Sequence, residues 1–116
     1  MREPQEAADA ASEAIRRLSY RAIDGTGDWS RPEHAYAVLC SLTEMAQRLP
    51  HALHLVNAFL LSFDQAGQLT AAEGHPTELV VTSSHALGEA SALAQMMAEA
   101  LESARDATRG LSAETG

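Results

Sequence analysis

His51 and His54 stand three residues apart in a stretch with helical periodicity, so their imidazoles share a face and offer two ligands toward a metal. A metal centre needs at least one more ligand, and no carboxylate or thiol lies at a spacing that completes a known set. Both are therefore expected as surface histidines. His34, His75 and His85 fall near helix starts or in a loop, where exposure is again the expectation. Cys40 is the single cysteine, which excludes an internal disulfide and a cysteine-based zinc site within one chain. A nucleophilic thiol wants a neighbouring cation to lower its pKa, and Cys40 instead has Glu44 one turn away. Gly25-x-Gly27 could form a phosphate-binding turn, yet no strand precedes it and no third glycine follows. Glu99-x-x-Glu102 and the acids Glu3, Glu6, Asp9 and Glu13 lie off the apolar seams, where nothing would bury them enough to tune acid–base chemistry. No catalytic, cofactor-binding or metal-ligating residue is assigned, no cofactor is expected, and the chain is read as a non-enzyme.

Charge narrows the partners. The 116 residues carry a formal net charge of -8, and all eight cations are arginines. Nucleic-acid affinity rests largely on neutralising phosphates, so this balance argues against it. Arg16, Arg17 and Arg21 form the one basic cluster, which could touch phosphate or pair with Glu13 and Asp24. No apolar run approaches the roughly 18 residues of a membrane span. The polar, acidic start does not resemble a signal peptide, so a cytoplasmic location is expected.

What would position such residues is helical throughout. Aromatic residues make up only 4% of the chain, alanine and leucine dominate, and period-2 alternation is confined to Val80-Val81-Thr82. The expected fold is all-α, an antiparallel bundle of three or four helices in one domain over 1–116, with helices at about 5–23, 31–48, 50–67 and 78–109 and a disordered tail from 111. In the first helix Ala8, Ala11, Ile15, Leu18 and Ala22 recur at alternating 3 and 4 spacing, the seam of a helix packed lengthwise on others. Gly25 and Gly27 end it. Ser30 and Glu33 match a capping box, with Pro32 in the first turn and Trp29 ahead of the cap as a hydrophobic staple or a surface anchor for a partner. The second helix gathers Ala35, Val38, Leu39, Leu42, Met45, Ala46 and Leu49 on one face, with Cys40, Glu44 and Gln47 opposite. Pro50 disfavours helical geometry at Leu49, so a corner or a kink falls there.

From His51 to Phe63 the sequence is apolar nearly all round, more than one stripe can use. Gly67, Gly74 and Pro76 mark a loop. The last, alanine-rich helix starts near Thr77 or near Ser84, and Leu87, Ala90, Ala94, Met97, Leu101 and Ala104 form one heptad seam along it. Its longer version spans about 50 Å against about 28 Å for the second helix, so it is expected to overhang. Leu18 to Leu61 resembles small helical proteins of actinobacteria, of unknown function and often associated with mobile elements. The resemblance rests on Arg21-Ala22-Ile23-Asp24, on Pro32-Glu33-His34-Ala35-Tyr36-Ala37-Val38-Leu39 and on Leu49-Pro50, and departs at His51, where a glutamine is expected. It implies an accessory bundle without a catalytic site.

The functional expectation is protein–protein interaction, with the chain associating with itself (a dimer favoured) or with another helical protein. The contact residues expected are Trp29, Leu55, Phe59, Phe63, Ala90, Ala94, Met97 and Leu101. The alternatives are a DNA-associated accessory protein using Arg16, Arg17 and Arg21, and a small-ligand bundle lined by Met45, Met97 and leucines.

Overall fold

The computed structural model describes residues 3–24 and 31–113, the first stretch with side chains to residue 20. The fold is all-α, with three helices: α1 over Pro4–Asp24, α2 over Pro32–Gln65 and α3 over Pro76–Thr108. Among the described residues, helix-on-helix packing occurs between α2 and α3 alone. Trp29, Ser30 and the glycines Gly25 and Gly27 lie outside the described residues, so the staple and the phosphate-turn reading do as well. The capping box expected of Ser30 and Glu33 is displaced by one residue, with Arg31 as the cap and His34 as its partner.

Where the sequence left a corner or a kink open, α2 runs unbroken through Pro50. An interior proline removes one backbone N–H and crowds the carbonyl four residues back, at a cost of about 3 kcal/mol. Packing of α2 along the whole of α3 carries the helix across that gap. The expected overhang disappears with it: 34 residues in α2 and 33 in α3 give matched rods of about 50 Å.

Local sequence fixes the ends of these rods. Pro32 and Pro76 each open a helix, where the missing N–H would have had no partner anyway. At the start of α2 the cap is Arg31, whose backbone N–H donates to Nδ1 of His34 at 3.4 Å, with His34 N–H returning a bond to the Arg31 carbonyl at 3.0 Å. At the other end Gly67, with φ of 68°, closes a Schellman motif. Gln68 N–H donates to the Phe63 carbonyl and Gly67 N–H to the Asp64 carbonyl, both at 3.0 Å. The Thr77 hydroxyl then donates to Asp64 Oδ1 at 2.9 Å and ties the two ends of the loop together. The last helix thus begins at Pro76, the earlier of the two expected starts.

Three cross-helix contacts set the register. Asp64 meets Thr77, Gln47 Nε2 donates to Glu102 Oε1 at 2.8 Å, and the Arg109 guanidinium sits 5.9 Å from the Tyr36 ring centroid. The residue numbers fall on one helix as they rise on the other, so the pair is antiparallel. Along α2 the inner seam is Tyr36, Leu39, Thr43, Ala46, Pro50, Leu53, Asn57, Leu60 and Asp64; along α3 it is Val80, Ser84, Leu87, Ser91, Ala94, Ala98, Leu101, Arg105 and Thr108. Both keep alternating 3 and 4 spacing from end to end, and every member is buried or half-buried. Ala46, Ala94 and Ala98 are small enough to let the two backbones approach closely. Thr43, fully buried, satisfies its hydroxyl within its own helix on the Leu39 carbonyl at 2.7 Å.

Candidate interaction surface

A second set of heptad positions runs beside each inner seam, shifted one residue toward the N-terminus. On α2 it comprises Ala35, Val38, Leu42, Met45, Leu49, Ala52, Val56, Phe59 and Phe63; on α3 it comprises Leu79, Ser83, Ala86, Ala90, Leu93, Met97, Ala100, Ala104 and Ala107, with Leu111 just beyond. A shift of one residue turns each helix by 100° about its own axis. Because the helices are antiparallel, equal turns about opposed axes bring both outer seams to the same side of the hairpin. Positions one residue C-terminal to the inner seams share the other side, as the bond between Gln47 and Glu102 shows directly.

The two sides differ in chemistry. The outer seams themselves hold no charged residue, Arg48 and Glu89 standing at their edges, and the large seam side chains are open to solvent: Phe59 is 62% exposed, Leu93 61%, and Val56 and Leu79 50% each. Met96, 63% exposed, and Leu55 extend its edges. Phe59 and Phe63 stack edge to face with centroids 5.0 Å apart, presenting one aromatic ridge near the loop end. Toward the other end Val38, Leu42, Met45 and Leu49 are half-buried. There Leu18 of α1 joins Ala37, Val38, Ser41 and Leu42 around an open cleft. The opposite side carries Glu44, Gln47, His51 and His54 from α2 and His85, Gln95, Glu99, Glu102 and Asp106 from α3.

The expected contact residues divide between these surfaces. Leu55, Phe59, Phe63 and Met97 are exposed on the apolar side or its edge, and Ala90 belongs to the outer seam of α3. Ala94, only 6% exposed, and half-buried Leu101 belong to the inner seam and are occupied by α2 of the same chain. The single seam expected on the last helix is therefore a composite, with Leu87, Ala94 and Leu101 turned inward and Ala90, Met97 and Ala104 outward. Val56, Leu79, Leu93 and Met96 join this surface from outside the expected set. For Val56, Leu79 and Leu93 the signal is present in the sequence as the second heptad register, offset by one residue from the first, and Met96 lies one residue further round α3.

The groups with chemical potential stay apart. His51 and His54 are exposed, and among the described residues no three His, Cys, Asp or Glu side chains gather where they could hold a metal. Cys40 is half-buried on the flank of α2 that also carries Gln47. Glu102 is engaged by Gln47. Arg16 clasps Glu13 through Nε and Nη2 at 3.1 and 3.2 Å, and Arg17 approaches the same carboxylate at 3.6 Å. The Arg16 guanidinium also lies 5.3 Å from the Tyr20 ring centroid. The neighbouring Arg16 holds the Glu13 carboxyl below the ordinary glutamate range, with Arg17 adding to the effect. Two of the three arginines in the basic cluster thus face an acid of their own helix.

The hairpin encloses little space. A cleft of about 150 Å³ between α2 and α3 is lined by Leu53, His54, Asn57, Ser84, Leu87, Gly88 and Ser91, and Asn57 Oδ1 is buried there without a protein partner. Met45 and Met97 sit on the open outer seams and not around an internal pocket. No described helix is long and apolar enough to cross a membrane. No family model, curated protein or solved structure matches the chain.

Proposed function

We propose that this chain is a non-enzymatic interaction module that associates with a second copy of itself through the apolar side of the α2–α3 hairpin. One observation carries the reading: two charge-free heptad seams lie side by side, and among the described residues only Leu18 of α1 reaches them, at the Val38 and Leu42 end, while the stretch from Val56 to Phe63 and its neighbours on α3 are open. Stable domains are built from at least two packed layers, and a lone helix pair buries only one flank of each helix. A second hairpin supplies the missing layer and makes a four-helix bundle.

The size of the face fits. Two rods about 50 Å long and about 10 Å across present roughly 1,000 Å². A stable interface needs about 800 Å² from each partner. A copy of the same hairpin also matches the length of this face and the lack of charge in its seams by construction, as a two-fold contact requires. The polar opposite side would remain in water, in keeping with the net charge of -8.

Solution mass by light scattering across a concentration series tests this, with wild type expected as a dimer at micromolar concentration. Phe59→Asp changes a side chain already 62% exposed, so the fold within one chain loses little. A two-fold contact would lose about 2–3 kcal/mol at each of two Phe59 positions. Dissociation should strengthen by a factor of about 10³ or more. A wild-type monomer at about 100 μM, or a Phe59→Asp protein that stays dimeric, would sink the proposal.

A further inference from the structure

The two outer seams differ in bulk, and that difference selects how the second copy sits. On α2 the seam is large: Val38, Leu42, Met45, Leu49, Val56, Phe59 and Phe63. On α3 it is mostly small: Ser83, Ala86, Ala90, Ala100, Ala104 and Ala107, interrupted by Leu79, Leu93 and Met97. Two isologous arrangements are open to a pair of hairpins placed face to face. With the two-fold axis along the helices, α2 of each copy lies over α3 of the other and both loops are at one end. With the axis across the helices, α2 lies over its own counterpart and the loops are at opposite ends.

The cross-helix contacts state which residues share a level. The contact between Asp64 and Thr77 puts Phe59 and Phe63 level with Leu79, Ser83 and Ala86. The contacts of Gln47 with Glu102 and of Tyr36 with Arg109 put Val38, Leu42 and Met45 level with Met97, Ala100 and Ala104. We infer, resting on the self-association proposed above, that the two-fold axis runs along the helices. In that arrangement the phenylalanine ridge of one copy falls on Ser83 and Ala86 of the other, and Val38 and Leu42 fall on Ala100 and Ala104. Large residues of α2 meet small ones of α3 at most levels, the exceptions being Leu79 beside Phe63 and Met97 beside Met45. Large upon small is how facing layers interdigitate at the usual 8–10 Å between axes.

The crossed arrangement fails on two counts. It sets Phe59 against Val38, Val56 against Leu42 and Leu49 against its own counterpart on the two α2 helices, bulk upon bulk, while the two α3 helices bring together the mostly small seam of each. One side of the bundle would be forced apart as the other closed. It also brings exposed Arg48, at the midpoint of Pro32–Gln65, beside the Arg48 of the second copy. Like charges so placed repel.

A single pair of spin labels separates the arrangements. Ala72 is exposed in the loop between α2 and α3, and Cys40→Ser removes the native thiol. In the Cys40→Ser, Ala72→Cys protein, pulsed electron–electron distance measurement should give one separation below about 35 Å, the width of a four-helix bundle plus the label arms. A separation of about 50 Å or more, alone or mixed with the short one, would overturn the arrangement while leaving the dimer standing. A labelled protein that light scattering shows to be monomeric would overturn both.

Discussion

α1 and α3 carry the same kind of pattern and meet different fates. Ala8, Ala11, Ile15 and Leu18 recur at alternating 3 and 4 spacing just as Leu87, Ser91, Ala94, Ala98 and Leu101 do. Yet Ala8 and Ala11 are exposed, Ile15 is 39% exposed, and among the described side chains of α1 Leu18 is the one that reaches another element, whereas the inner seam of α3 is buried or half-buried along its length. The difference lies in how each helix is joined to α2. α3 is preceded by a loop whose ends are tied by Asp64 and Thr77, which holds it against α2; no such tie joins the described parts of α1 and α2. Periodicity therefore states that a helix has a packing face. It does not state what covers that face.

The sharpest way to break the comparison is to put a charge into each seam. Ala46→Asp places an unpartnered carboxylate at a fully buried position and should lower the unfolding free energy of the hairpin by at least about 3 kcal/mol, seen as lost cooperativity in a thermal melt followed by circular dichroism. Ala11→Asp, on the exposed face of α1, should move the same melt by less than about 0.5 kcal/mol. Equal effects would mean that α1 is packed as tightly as α3.

Pro50→Ala is expected next in size and opposite in sign. It restores the N–H that Pro50 lacks and relieves the crowding at the Ala46 carbonyl, for a gain of about 1–3 kcal/mol in urea unfolding. A loss would show that the proline ring is needed to fill the inner seam. Gly88→Ala should add about 0.5–1 kcal/mol, because a Cβ there meets nothing within 4 Å and alanine suits a helix interior better than glycine.

The smallest effect belongs to α1. Arg16 lowers the pKa of Glu13, so the support this pair gives the helix is present above the ordinary glutamate pKa and is lost as pH falls through the lowered value. A carbon-13 titration of the Glu13 carboxyl should show the depressed midpoint, and Arg16→Ala should return it toward the ordinary range. An unchanged midpoint in the variant would remove Arg16 as the cause.

Much of the hairpin was legible. The first-turn proline Pro32, the loop signals Gly67, Gly74 and Pro76, and the greasy run after Pro50 all indicated where helices lie and that apolar surface exceeds what one stripe can use. Two features were hidden for physical reasons. Pro50 penalises a helix locally, but the penalty is offset by packing over residues distant in sequence, which a local reading cannot weigh. The two seams of α3 are one residue apart, so a wheel drawn from apolar positions alone merges them; only the positions of α2 separate Ala94 from Met97.

The matched lengths of α2 and α3 also govern how the protein moves through water. The molecule measures 68 × 27 × 26 Å with a radius of gyration of 19.3 Å. A compact chain of this size would have about 13 Å, and 19 Å belongs to a globule of roughly 300 residues. Friction on such a rod is set by its long axis. A single copy would therefore leave a sizing column early, at the volume of a much heavier sphere, and elution time alone would suggest a dimer where there was none. Scattered intensity, which weighs the particle whatever its outline, is immune to that illusion.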